Sequence, residues 1–350
     1  MLLQENIPLA PLTTFKIGGL ARYFVSATNT SEVQEAVAWA RSHDQPIFVL
    51  GGGSNLLIAD AGWPGLVLKV AISGIDRRDE YKDGKVLFEV GAGEAWDKFV
   101  STAVRARCAG VECLSGIPGS VGGTPVQNVG AYGQEVSETI ASVQAHDLND
   151  GRVLSLRPEA CEFSYRSSIF NTGEPGRFIV LRVTYALAPE GNPRIGYPDL
   201  KRHFEGWSTV PNLAEVREAV RHIRALKGML IVPGEGDCQS AGSFFKNPIL
   251  SEAQQEDLKK RAAARRLAVP SYPALKSRRK VSAAWLVEHS GFAKGFGFGH
   301  VGISSKHALA IVNRGGATAT EVLTLKEQIQ QRVEEIWGVR LEPEPVMVGF

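Results

Sequence analysis

An α+β fold is predicted from three observations. Strand and helix patterns alternate over the first seventy residues. Three strand segments between residues 140 and 187 follow one another with no helix between them. Helices then return after residue 250, with short apolar strands between them. The middle block therefore reads as an antiparallel sheet rather than as strands joined by helical crossovers. The 350 residues suit two or three domains, at about 150 residues each. A chain of this length buries roughly three-quarters of its unfolded surface, so its core needs no disulfide or metal. With 44% hydrophobic and 22% charged residues the composition is that of a globular protein, which excludes disorder and a coiled-coil rod.

The elements follow in order. After a short loop at residues 13–19, residues 22–27 form a strand. Residues 31–43 form an amphipathic helix, with Ser31 and Gln34 at capping-box spacing. Residues 46–50 are a short strand running into Gly51-Gly52-Gly53-Ser54-Asn55, and residues 56–58 and 66–70 are further strands. A strand at 86–90 ends in Gly91-Ala92-Gly93, and residues 94–107 have a helical period. Residues 114–135 are rich in Gly, Pro, Gln and Asn, with Ile117, Val121, Val126, Val129 and Tyr132 interleaved. A long loop of this kind inside a compact domain is usually functional. Strands follow at 140–147, 152–156 and 177–187, then a Pro/Gly-rich insert at 189–198 and a helix at 213–227. Residues 229–239 break the pattern at a domain boundary, and helices are expected at 251–266, 282–289 and 320–336.

Several classes of function are excluded. Lys and Arg total 39 against 37 Asp and Glu, a net +2, so no broad field favours nucleic acid. No apolar run reaches the roughly 18 residues of a membrane span. The opening MLLQENIPLAPL lacks a basic leader, so no secretory signal is expected and the expected compartment is the cytoplasm. Cys108, Cys113, Cys161 and Cys238 form no CxxC pair, so reduced structural thiols and no metal site are expected. The dinucleotide fingerprint GxGxxG is absent, since Leu56, Trp96 and His300 stand where its last Gly belongs after the three Gly-rich turns. Neither GxxxxGK[ST], GxSxG nor HExxH occurs.

Two glycine clusters remain. Gly51-Gly52-Gly53 lets consecutive N–H groups converge on an anion, and Ser54 and Asn55 add side-chain donors. A pyrophosphate would suit that nest. A plain tight turn explains the three glycines equally well. The second cluster, SGIPGSVGGTPVQNVGAYG over residues 115–133, allows close approach to a flat, extended ligand. Its amides Gln127 and Asn128 can both donate and accept.

Together these stretches resemble the FAD-binding fold of the vanillyl-alcohol-oxidase type. The full ordered set is similar to one family, the UDP-N-acetylenolpyruvoylglucosamine reductases of bacterial peptidoglycan synthesis. It continues through CEFSYRSSIF at 161–170, AGSFFKNP at 241–248, AAWLVE at 283–288 and LEPE at 341–344, and so covers nearly the whole chain. The insert bearing Tyr197 resembles the long form of the family, in which a tyrosine loop folds over the substrate. The resemblance implies a reaction in which NADPH reduces bound FAD, and hydride then passes to the enolpyruvyl group of a small sugar-nucleotide substrate.

It also implies residue roles. FAD would lie against Gly51, Gly52, Gly53, Ser54, Asn55 and Leu56 on the first loop. On the second it would meet Gly116, Ile117, Pro118, Gly119, Gly122, Gly123, Gln127, Asn128, Gly130 and Ala131, with Arg224 on the flavin side. Arg166 would stabilise the developing enolate, Ser243 would donate the proton, and Glu344 would assist Arg166. Glu342 competes for that last role, because strand alternation puts both acids on one face. Tyr132 would lie between flavin and substrate, and Tyr197, Lys227, Asn247 and Lys294 would contact substrate. Read without the family, Arg166 is an ion-paired arginine, Ser243 a turn or edge residue and Lys294 a solvated lysine.

Three parts are implied. Residues 1–70, joined by the tail 338–350, form a first FAD-binding subdomain. Residues 71–229, with the insert at about 188–205, form a second, and residues 230–337 form an α+β substrate-binding domain. His307 replaces the family's common Gln, Pro345 an aliphatic residue, and Val346 an Arg, and residues 228–239 are longer than usual. Another FAD-dependent oxidase of this fold, or a non-catalytic sugar-nucleotide binder, are the rival readings. The joint presence of Arg166, Ser243 and Glu344 weighs against both.

Overall fold

The computed structural model describes residues 1–82, 84–273 and 278–350, with side chains for all of these except residues 79–82. The chain divides into two compact units. One comprises Met1–Ile7, Ala21–Gly53 and Trp63–Ala225, the other Pro8–Leu20, Ser54–Gly62 and Leu226–Phe350.

Among the described residues the first unit holds two main sheets and a two-stranded ribbon. In the smaller, the strands are ordered Gln4–Pro8, Leu20–Ala27, Trp63–Val70, Ile47–Leu50, and Trp63–Val70 runs parallel to both Leu20–Ala27 and Ile47–Leu50. Helix α1 (Thr30–Ser42) packs on it through Val33, Ala36, Val37 and Ala40. Its N-cap is Asn29, not Ser31: the extended backbone at Asn29 lets its side chain accept the Glu32 N–H at 3.0 Å. Ser31 lies inside the first turn, so the expected capping box is corrected.

The larger sheet is antiparallel, in the order Val153–Leu156, Ile140–Asp147, Phe178–Pro189, Lys85–Gly91, Ile75–Lys82. The last strand reads IDRRDEYK and was not expected. Charge is a common device for blunting sheet edges, and it hides such strands from a search for apolar alternation. Helix α2 (Trp96–Arg105) begins two residues later than its sequence period suggested. Residues 94 and 95 are committed elsewhere: the Glu94 carbonyl accepts the Val121 N–H at 2.9 Å, and Ala95 bridges to Ser120. Trp96 and Phe99 of α2 pack on Tyr185 of the sheet, with ring centroids 5.8 and 4.7 Å away. A separate cluster joins Leu200 of the short helix α3 (Pro198–His203) and Val216, Ala219, Val220 and Ile223 of α4 (Leu213–Leu226) to Cys113 and Tyr132.

The second unit has its own core, built on Phe15, Ile17, Leu57, Phe244, Phe245, Leu286, Ile329, Val333 and Trp337. The C-terminal strand Val346–Val348 pairs in parallel with Leu56–Ile58, which fixes the chain end beside the segment following the first glycine loop. Around this core lie α5 (Glu252–Ala263), α6 (Ala283–Glu288) and α7 (Ala319–Trp337), with three-stranded sheets at Ile249–Leu250, Arg279–Val281, Ser271–Pro273 and at Gly297–Phe298, Val301–Ile303, Ile311–Asn313. Among the described residues no helix is long and apolar enough to cross a membrane.

Helix α7 is capped twice. Thr318 and Glu321 form a reciprocal capping box, and Asp60 accepts the Ala319 N–H at 2.7 Å and the Thr320 N–H at 3.1 Å. The backbone N–H groups of Thr318 and His300 hold the Glu321 carboxyl down to about 2. The cap's charge-dependent contribution is therefore complete above an ordinary glutamate value of about 4.3 and is lost as pH falls from there towards 2. Glu321→Gln is expected to lower the melting temperature at pH 7 by about 1–3 °C, with variant and parent converging as the pH falls to about 2. Scanning calorimetry at both pH values checks this, and an equal gap at both would remove the charge from the cap's contribution.

Candidate functional site

The two glycine loops meet in the first unit, and they meet backbone to backbone. A Cβ built on Gly52 would lie 2.5 Å from the Cα and carbonyl carbon of Gly119 and from the Ser120 nitrogen. One built on Gly51 would lie 2.9 Å from the Ser120 hydroxyl. Only glycine permits this approach, so the tight-turn alternative does not account for Gly52. The Ser120 hydroxyl is buried and has no hydrogen-bond partner among the described residues. A buried orphan hydroxyl between two glycine loops fits an acceptor ligand such as a phosphate. The N–H groups of Val121, Gly122 and Gly123 are engaged within the protein, by the carbonyls of Glu94, Ala92 and Ser120. Ile117, Pro118 and Gly119 remain partly exposed at the crest of the second loop.

That loop is anchored by charge. Asp97 accepts the Gly116 N–H at 2.6 Å, both Arg217 terminal nitrogens at 2.6 and 2.8 Å, and Arg221 at 2.9 Å. Burial opposes the Asp97 charge, but the hydrogen bonds from Arg217 and Gly116 outweigh it and leave the carboxyl below its usual value. One turn further along α4, Arg224 donates to the Gly116 carbonyl at 3.1 Å and also hydrogen-bonds Tyr132. Burial lowers the Arg224 guanidinium, while Tyr132 and Asp97 act in the other direction. Sequence reasoning named Arg224 but missed Ser120, Asp97 and Arg217. The spacing 217, 221, 224 places the three arginines on one helix face, a signal that was available.

Gly130–Ala131 and Gln134–Glu135 form a two-stranded ribbon closed by Tyr132 and Gly133, with φ of 49° and 85°. Two consecutive positive φ values are those of a type I′ hairpin turn, and a tyrosine there is strained. Its ring packs edge-on to Tyr197 at 5.3 Å. Arg166 also has a positive φ, 56°, in a tight turn closed by mutual Ser164–Ser167 backbone bonds. It donates to the Gly130 carbonyl at 3.0 Å and lies over the Tyr165 ring. Asn128 is a clamp: its amide donates to Glu135 at 2.9 Å and to the Ser164 carbonyl at 3.1 Å, and accepts from Ser137. Gln127 and Ala131 are half-buried beside it.

In the second unit, Ser243 follows Gly242, which has φ of 77°, and is half-buried. The next residue's carbonyl, on Phe244, accepts the Glu344 N–H at 2.9 Å. Asn55 donates to the Glu344 carbonyl at 3.3 Å, and the Asn55 carbonyl accepts the Val346 N–H. Ser54 and Leu56 flank it, both half-buried. Glu342, the competitor, is 79% exposed and faces Lys246 at 3.9 Å, whereas Glu344 is half-buried. The two acids therefore do not share an environment. Asn247 accepts the Ala283 N–H at 2.9 Å at the start of α6, and Lys294 is exposed. Lys227 is half-buried at the end of α4. At the departures, His307 Nδ1 accepts the Leu309 N–H at 3.0 Å, and Val346 is exposed at the start of the tail strand.

Comparison with known proteins gives a consistent pattern. The family description "UDP-N-acetylenolpyruvoylglucosamine reductase, C-terminal domain" matches residues 234–348, and "FAD binding domain" matches residues 21–157. A UDP-N-acetylenolpyruvoylglucosamine reductase of Streptomyces coelicolor is 46% identical, covering 99% of this chain and 90% of that protein. One of Thermobifida fusca is 43% identical over 99% of this chain and 98% of that protein. The crystal structure of the corresponding reductase of Thermus caldophilus superposes with a TM-score of 0.66 at 26% identity, covering 99% of this chain and 100% of that one.

The glycine contact makes a direct prediction. Gly52→Ala forces the two loops apart, a strain of about 1–3 kcal/mol. FAD affinity is expected to fall about tenfold or more, read by flavin fluorescence on titrating apoprotein. Unchanged affinity with an unchanged melting temperature would show that the contact is not part of the flavin cradle.

Proposed function

The chain belongs to the UDP-N-acetylenolpyruvoylglucosamine reductase family, and from that premise we propose that it reduces the enolpyruvyl group of UDP-N-acetylglucosamine enolpyruvate to give UDP-N-acetylmuramate for peptidoglycan. It is an FAD-dependent oxidoreductase with NADPH as co-substrate, and residues 21–157 match an FAD-binding domain. The observation that carries the reading is identity along the full chain: 46% over 99% of its length with a reductase it matches over 90% of that protein. When bound, FAD supplies the hydride carrier that NADPH recharges.

The chain's own residues bind, orient and move the proton. Hydride arriving at the terminal vinyl carbon leaves an electron pair spread over the neighbouring carbon and its carboxylate. Arg166 meets that charge with the planar fork of its guanidinium. Its support is the tight turn that presents it and the Gly130 carbonyl that holds one arm at 3.0 Å. Ser243 gives its hydroxyl proton to the carbon beside the carboxylate, forming the C–H bond, and solvent reprotonates the serine. Glu344 assists in polarising the carboxylate. It is preferred over Glu342 because it is half-buried and tied to the residue after Ser243, whereas Glu342 faces Lys246.

Tyr132 lies between flavin and substrate and Tyr197 closes over the ligand, a reading supported by their edge-to-face contact. Lys227 and Lys294 meet the diphosphate or the carboxylate, and Asn247 orients the ligand from the start of α6. The cradle residues of the two glycine loops, with Arg224, hold FAD. Three functional parts, residues 1–70 with the tail 338–350, residues 71–229, and residues 230–337, belong to the same proposal. The pairing of Val346–Val348 with Leu56–Ile58 joins the tail to a segment of residues 1–70 that, like the tail, lies in the second compact unit. We place the reaction in the cytoplasm, where NADPH is supplied.

The test is anaerobic and optical. NADPH should bleach the flavin, and the enolpyruvyl substrate should restore its colour without oxygen. Recovery only on admitting air would instead indicate an oxidase. In Ser243→Ala, bleaching by NADPH is expected within twofold of the parent rate, while recovery slows by about a hundredfold or more, the range of a lost general acid. Equal loss of both half-reactions would sink the proton-donor role.

A further inference from the structure

Glu112 has no place in the chemistry above, yet it is a carboxylate with no solvent exposure. A buried carboxylate is costly unless it is fully hydrogen-bonded, and this one is met by donors from three segments. Its Oε2 accepts the Gly110 N–H at 2.8 Å. Its Oε1 accepts the Gln134 side-chain amide at 2.8 Å and the Arg194 N–H at 3.0 Å. Gln134 in turn accepts the Cys113 N–H at 2.8 Å, which locks its orientation. Gln134 sits two residues after Tyr132 in the strained ribbon, and Arg194 sits three residues before Tyr197 in the insert. A single oxygen therefore holds the ribbon and the root of the insert at once. Beyond that root the rings of Tyr132 and Tyr197 meet at 5.3 Å.

We propose that Glu112 is a positioning residue for substrate capture: by gripping Gln134 and the Arg194 N–H on one carboxylate oxygen, it sets the register between the two tyrosines. The proposal rests on the reading that Tyr197 covers the substrate. It makes the insert's placement depend on a full carboxylate at 112. An amide at that position offers only one acceptor oxygen, so at least one of the three N–H donors would face an NH2 group.

The test uses the holoenzyme and two variants, Glu112→Gln and the swap Glu112→Gln with Gln134→Glu. In the swap the amide of 112 can donate to the new carboxylate, which still accepts the Cys113 N–H, so the ribbon keeps its anchor while the Arg194 N–H loses its acceptor, leaving Arg194 held, among the described residues, by the Cys113 thiol and by Glu138. The swap thus serves if the single variant folds poorly. In a folded variant with full flavin content, trypsin cleavage after Arg194, whose side chain is exposed, is expected about tenfold faster than in the parent. The KM for the enolpyruvyl substrate is expected to rise about tenfold, with flavin bleaching by NADPH within twofold.

Unchanged cleavage in both variants would overturn the anchor. Faster cleavage with unchanged KM would overturn the role in capture, provided that Tyr197→Phe raises KM. If Tyr197→Phe also leaves KM unaltered, the placement of Tyr197 over substrate fails, and the proposal falls with it. A parallel loss of bleaching and recovery would mark Glu112 as merely structural and overturn the proposal as well.

Discussion

Between Gly52 and Gly119 there is no room for a side chain: 2.5 Å separates a would-be Cβ from the opposing backbone. The first loop closes the strand Ile47–Leu50 of the smaller sheet. The second loop is fastened to the larger sheet and to α2 by backbone bonds from Gly122 to Ala92, from Val121 to Glu94 and from Trp96 to Gly119. A close approach of two backbones thus fixes both loops relative to their sheets. It also leaves the Ser120 hydroxyl buried without a partner among the described residues. A site that needs rigid N–H donors and an exposed loop crest is served by stiffness of this kind, because a mobile loop would lose more entropy on binding.

The same part of the molecule holds strained backbone. Tyr132 and Arg166 both occupy the left-handed region without being glycine, at a cost of order 1–3 kcal/mol each. Surrounding contacts over-determine both: mutual backbone bonds close the Arg166 turn, Asn128 clamps the ribbon to Ser164, and the Gly130 carbonyl receives Arg166. Strain held this way points side chains where a relaxed turn would not. Charge does similar work at the other end of the loop, where Asp97, itself held by Arg217 and Arg221 of α4, grips the Gly116 N–H. The helix that follows the tyrosine insert is thereby tied to the second glycine loop.

Much of the fold was legible in the sequence because apolar periodicity records burial. Strands Ile140–Asp147 and Phe178–Pro189 and helix α4 lie close to where their periods put them. The charged edge strand Ile75–Lys82 was hidden, because an edge need not alternate. The N-cap of α1 was misplaced because Asn29 and Ser31 are both good caps in isolation, and only the backbone angle at Asn29 separates them. Glu342 and Glu344 were equivalent by spacing and distinct by burial.

By itself the sequence determined the family, the α+β class and the glycines that a close approach demands, because these depend on residue type and order along the chain. Tertiary structure alone decided that Gly52 meets Gly119, that the Ser120 hydroxyl has no partner among the described residues, and that Glu112 grips two segments 60 residues apart in sequence, Gln134 and Arg194. Those contacts join residues far apart along the chain. Their distances follow from how the sheets, loops and helices pack, and that packing carries no local signature in the residues it brings together.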